Sequence, residues 1–243
     1  MRHIWWISAA FVLAFTGLAQ AQSAPTQAPD DVVLGKPDAP VTIFEFASLT
    51  CPHCAEFDAE TLPKVRSDWI DTGKARLIYR DYPLDQNALK AAMIARCAPP
   101  DQFFNFIDVL FKNQINWAVG TPDQVTQALS RIARLGGISE DKFNECLNDK
   151  ALSDRILGER LAGQHDYGVD STPTFFVNGK KVVGALPYEQ FAQELAAATP
   201  GGAAVAAATP APVGASTPAA APPAMPEQEV WWKRWYHALM SYL

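Results

Sequence analysis

The sequence predicts a mixed α/β sheet domain interrupted by an all-helical insertion, and three observations carry that reading. The run Val41-Thr42-Ile43-Phe44-Glu45-Phe46-Ala47 is β-branched and aromatic, as a buried strand is. From Asp85 to His165 the chain shows a succession of helix-start signals and no clear strand. Strand signals then return at Thr174-Phe175-Phe176-Val177, followed by Asn178-Gly179, a strong short hairpin signal, and Lys181-Val182-Val183.

Taken in order, residues 22–36 are polar and Pro-containing and read as a flexible lead. After the first strand, Ser48-Leu49-Thr50 forms a tight loop, Cys51 opens a new segment, and Phe57, Leu62 and Val65 recur at near-helical spacing up to Trp69. Thr72-Gly73-Lys74 is a turn into a second short strand, Ala75 to Tyr79. Within the insertion, Asp85 precedes an Ala-rich helix stopped by Ala98-Pro99-Pro100, and Asp101 precedes an aromatic one. Thr121-Pro122-Asp123-Gln124 combines an N-cap, a proline at the first helical position and a capping-box glutamine. Ser139 caps the next helix, and Leu152, Ile156 and Leu161 mark a further one. A last helix runs from about Pro187 to Ala197. The sheet domain therefore covers 37–198 with its insertion at 85–165.

Both ends differ from this domain. Residues 1–21 carry Arg2 and His3, an apolar run from Ile4 to Leu18, and Ala19-Gln20-Ala21, the pattern of a cleaved secretory signal. The alternative, a membrane anchor, calls for about 20 apolar residues. Residues 199–226 are Ala, Pro, Gly, Ser and Thr with no charge, a linker spanning roughly 30 Å as a flexible coil. Residues 227–243 form an aromatic tail in which Val230, Trp231, Trp235, Leu239 and Met240 share a helix face, with Lys233, Arg234 and His237 near the other. Such a segment suits a membrane interface or a partner protein; the alternatives are docking on its own domain or remaining a disordered end. The formal net charge of −6 without a basic stripe argues against nucleic-acid binding. Export places the four cysteines in a periplasmic, oxidising setting.

The motif that carries chemistry is Cys51-Pro52-His53-Cys54. Two cysteines at this spacing close a disulfide or bind a metal, but a structural zinc site needs four ligands, and Cys97 and Cys146 lie far off in sequence. No metal or cofactor is therefore expected. Cys51 sits where a strand passes through a loop into a helix, so free backbone N–H groups and the helix dipole favour its thiolate. Pro52 supplies the φ of a first helical residue, and His53, when protonated, adds positive charge. A stable thiolate is a good leaving group, which makes its disulfide with Cys54 oxidising. Glu45 is anomalous in an apolar strand: either a buried proton acceptor near Cys54 or a side chain reaching solvent at a sheet edge. Cys97 and Cys146 read as a structural disulfide closing about 50 residues, worth about 4 kcal/mol by chain entropy. A second redox pair or two free thiols are the alternatives.

Cys-Pro-His-Cys after an apolar strand with a glutamate, a helical insertion, and Thr172-Pro173 before a strand and hairpin together resemble the DsbA family of thioredoxin-fold thiol-disulfide oxidoreductases. The likeness runs from about Pro37 to Ala197. It implies a thioredoxin fold, Cys51 as exposed nucleophile, Cys54 as buried partner, Pro173 in cis facing the disulfide, and Glu45 as the family's buried acid with Asp58 at a nearby acidic position. It further implies reduced exported proteins as substrates and recharging by a quinone-linked membrane oxidase of the DsbB type. Thr172 before the proline also occurs in isomerase branches, so a disulfide isomerase or reductase remains the alternative. A tethered envelope holdase, motivated by the tail, is the reading of another class.

Overall fold

The computed structural model describes residues 23–201; the signal at 1–21, the tail at 227–243 and nearly all of the linker at 199–226 lie outside the described residues. Among the described residues five strands form one sheet in the order β1-β3-β2-β4-β5: β1 Val33–Gly35, β2 Val41–Ala47, β3 Ala75–Asp81, β4 Thr174–Val177 and β5 Lys180–Val183. Among the described residues only β2 and β3 run parallel, the geometry that a helical crossover requires. That crossover is α1, residues 52–70, in which α-helical turns (Pro52–Glu56, Leu62–Val65) alternate with π-helical ones (Phe57–Thr61, Arg66–Ile70). Pro63 has no N–H to offer the carbonyl one turn back, which interrupts the regular ladder. The β4–β5 hairpin turns on Asn178 and Gly179, both at positive φ (44° and 88°), which asparagine and glycine tolerate best.

Strand alternation sends Val41 and Ile43 of β2, Leu77 of β3 and Phe175 and Val177 of β4 into one core with Phe57 and Val65 of α1 and with Phe191 and Leu195 of the last helix, Tyr188–Ala198. Phe57, Phe175 and Phe191 stack mutually with centroids 4.5, 5.1 and 4.9 Å apart, and each buried ring contributes about 1.5–3 kcal/mol. The other face presents Phe44, Phe46 and Phe176.

Between β3 and β4 the chain forms α2 Gln86–Arg96, a 3₁₀ turn at Pro100–Gln102, α3 Phe103–Lys112, α4 Gln114–Trp117, α5 Pro122–Leu135, α6 Glu140–Asn148 and α7 Lys150–His165. The helix after β5, Tyr188–Ala198, is α8. The capping box of Thr121 and Gln124 forms as read from the sequence, and Asp85 caps α2 by accepting the Ala88 N–H. Helix α7 covers the second sheet face at Gly163, where a Cβ would sit 3.1 Å from the Phe46 ring and 3.2 Å from that of Tyr82. Cys97 at the end of α2 and Cys146 of α6 are joined by a disulfide with Cα atoms 6.2 Å apart.

The expectation of a flexible lead over 22–36 is corrected. Val33–Gly35 adds to β3 as an antiparallel edge strand, and Arg80 pairs with Asp31 at 2.6 Å. Three residues are too few for a period-two pattern, and their pairing is decided by β3 and its arginines. Strand β3 likewise runs on to Asp81, because the buried Arg96–Asp81 ion pair (2.6 Å) satisfies a carboxylate that would otherwise end it.

Candidate active site

Strand β2 ends at Ala47, and the loop Ser48-Leu49-Thr50 places Cys51 at the N-cap of α1 in extended conformation (φ −79°, ψ 120°), with Pro52 at the first helical position. The proline fixes φ without wasting an N–H, so the N–H groups of the first turn are free to face the sulfur. On the neighbouring strand, β4 pairs with β2 in the register Phe46↔Thr174, which brings the cis Thr172–Pro173 bond beside the cysteines. Cys51 Sγ donates to the Thr172 carbonyl oxygen at 3.3 Å. Cys51 and Cys54 are present as thiols.

Cys51 was expected to be exposed; it is only 6% exposed, because the Thr172–Pro173 loop lies against it, while Cys54 is fully enclosed. Their electrostatics diverge. The Cys54 thiol donates to the Cys51 sulfur and, with the Thr172 side chain and the backbone N–H groups of Cys54 and His53, outweighs burial and lowers the Cys51 pKa from 9.0 to about 5. Burial pushes the Cys54 thiol well up, reinforced by the Cys51 and Glu45 charges. The His53 ring is exposed and pairs with Glu56 at 3.1 Å; what it lends to Cys51 is its backbone N–H.

Glu45 does not reach solvent at a sheet edge. Its strand is central, the side chain is 3% exposed, and burial, with the Asp58 charge added, raises its pKa to about 8. Asp58 is also buried, and burial followed by the Asp108 charge holds its pKa well above the carboxylate range, against Lys112 and Arg66. Glu45 is therefore mostly protonated at neutral pH, and burial shifts Asp58 in the same direction. The Glu45 charge acts on Cys54 and the Asp58 charge on Glu45.

The sequence reading missed the groups that clamp the loop from the insertion. Gln114 donates to the Leu49 and Cys51 carbonyls at 2.8 and 3.0 Å, and Thr50 donates to Asp85 at 2.6 Å. An isolated glutamine carries no periodic signal; only its position on the short α4 reveals it. Among the described residues no group of three or more His, Cys, Asp or Glu could hold a metal ion, and no helix is long and apolar enough to cross a membrane.

The family described as thioredoxin matches residues 27–197. The chain is 30% identical to a putative protein-disulfide oxidoreductase of Rickettsia bellii over 151 residues, 62% of this chain and 58% of that protein, so it spans less than two thirds of that relative. It is 26% identical over 171 residues to the disulfide bond formation protein D of Bacillus subtilis, covering 67% of this chain and 74% of that protein. The crystal structure of alpha-DsbA1 from Wolbachia pipientis superposes with a TM-score of 0.65 at 34% identity, over 70% of this chain and 90% of that one. With a dithiol at the start of α1, a cis-proline against it and a helical insertion in the sheet, the chain belongs to the thioredoxin family, among its DsbA-like members.

Proposed function

We propose that this protein is a thiol-disulfide oxidoreductase that transfers its Cys51–Cys54 disulfide to reduced exported proteins. The observation that carries the reading is the split between the two thiols, Cys51 acidic at about 5 and Cys54 pushed up by burial. A substrate thiolate attacks Cys51 Sγ, the Cys51–Cys54 bond breaks, and Cys54 leaves as a thiolate that takes a proton. Glu45, with its pKa near 8, supplies that proton at neutral pH, and Asp58 lies behind it. A second substrate thiolate then attacks the substrate sulfur of the mixed disulfide and releases Cys51 as thiolate. The substrate loses two electrons and the protein gains them.

Pro173 and Thr172 flank the reacting sulfur, and the cis bond leaves adjacent backbone for an extended substrate chain to pair with. The signal read at 1–21 supports a periplasmic location, and a quinone-linked membrane protein of the DsbB type is the proposed reoxidant. The Cys97–Cys146 disulfide serves as a staple of the insertion.

The test is the equilibrium of the Cys51–Cys54 couple with glutathione. An oxidising couple, well above the roughly −270 mV of a thioredoxin-like reductant, supports the oxidase; a strongly reducing one would leave the reductase or isomerase in its place.

A further inference from the structure

The dithiol uses the cis-proline loop only from Thr172 onward, yet the same loop, upstream, forms one bank of an open groove of about 380 Å³. That bank is Val169 and Asp170, ending two residues before Thr172. The facing bank is Leu84, 51% exposed, whose N–H donates to Ser48 Oγ at 3.3 Å, while the Ser48 carbonyl accepts the Cys51 N–H at 3.0 Å. Both banks are thus bonded to the surroundings of the reacting sulfur. The Tyr82 ring lines the groove, its hydroxyl donating to the Val169 carbonyl at 2.8 Å. Arg160 of α7 lies over that ring, 5.5 Å from its centroid, and its buried Nε has no hydrogen-bond acceptor among the described residues. The neighbouring Arg155 takes Asp30 and Glu159, and no ion pair among the described residues involves Arg160. Asp170, toward the Thr172 end, accepts the Ser171 hydroxyl instead, at 3.1 Å.

Arg160 is only part-buried and lines the groove without a charged partner, so an occupant that brings a carboxylate supplies its guanidinium with a charge-assisted hydrogen bond. An extended chain advances about 3.3 Å per residue, so a substrate paired at Thr172 reaches the groove two to four residues from its own cysteine. We propose that the groove is a specificity subsite that takes an apolar residue against Leu84 and Tyr82, with an adjoining acidic residue on Arg160. The proposal rests on the thiol-disulfide reading and adds to it a preference for sequence around the reacting cysteine. Asp170 gives the subsite a direction, disfavouring an acid placed next to the cysteine itself.

The test uses the oxidised whole chain and two dithiol peptides that differ only in carrying Leu-Glu or Leu-Gln three residues from the reacting cysteine. The glutamate peptide is expected to be oxidised about three- to fivefold faster in a single turnover, as suits one partly exposed charge pair, with the ratio shrinking in high salt. R160Q should bring the ratio to about one. R131Q, in the cleft between α5 and α6, should keep it. Equal rates in the wild type, or a ratio that survives in R160Q, would overturn the subsite while leaving the oxidoreductase reading intact. Oxidation of neither peptide would sink the oxidoreductase reading itself, and the subsite with it.

Discussion

Cys51 Sγ lies 3.3 Å from the carbonyl oxygen of Thr172, across the space between the start of α1 and the cis Thr172–Pro173 bond. The Thr172 hydroxyl is buried with no partner among the described residues while Cys51 is a thiol, and its hydrogen bond to the ionised sulfur is one of those that lower the Cys51 pKa. Thr172→Val keeps the shape and removes that donor. The Cys51 pKa should rise by about 0.5–1 unit, the worth of one hydrogen bond. The rate of alkylation by iodoacetamide against pH measures it.

The low pKa of Cys51 links stability to redox state. Between about pH 5 and 9 the folded, reduced protein has released a proton that the unfolded chain keeps, so its stability rises with pH and is lost as pH falls through about 5. The oxidised form has no such titration. Thermal melts of both forms should show the reduced form gaining on the oxidised one from pH 5 to 8.

Glu45 acts with the opposite sign. Its folded pKa is near 8 against 4.5, so its contribution is fully present below about 4.5 and lost as pH rises toward 8. In Glu45→Gln that loss disappears. Urea unfolding should find the variant gaining on the wild type with rising pH, by on the order of a few kcal/mol at pH 8. Formation of the mixed disulfide in single-turnover reactions should slow, since the proton for the departing Cys54 is gone.

Gln114→Ala leaves the Leu49 and Cys51 carbonyls without the amide that joins them to the insertion. Stability should fall by about 1–2 kcal/mol, with faster amide exchange in residues 48–51 as the specific signature.

The Cys97–Cys146 bond closes a loop with a sequence separation of 49. Replacing both cysteines by serine should cost about 4 kcal/mol in denaturant unfolding, with the thiolate titration of Cys51 unmoved.

What could be read along the chain was whatever is encoded locally. Asn178-Gly179 specified its turn, Thr121 and Gln124 their capping box, and Cys51-Pro52 the start of α1. The order of strands and the helical insertion followed from such signals. Relations decided by tertiary contact stayed hidden. Val33–Gly35 is a strand only because β3 offers it an edge, and Arg96 and Asp81 explain each other only once α2 is laid beside β3. Gln114 reaches the loop across 63 residues of sequence. The burial of Cys51 belongs to the same class, since the Thr172–Pro173 loop that covers it arrives 121 residues later.

The proposed chemistry requires Cys51 to be a thiolate at neutral pH and Cys54 not to be. Ultraviolet titration of the reduced whole chain at 240 nm tests it most directly. One thiolate should appear with a midpoint near pH 5 and a second only above pH 9. Both appearing together at an ordinary thiol value of about 8.5 would rule out Cys51 as the activated nucleophile.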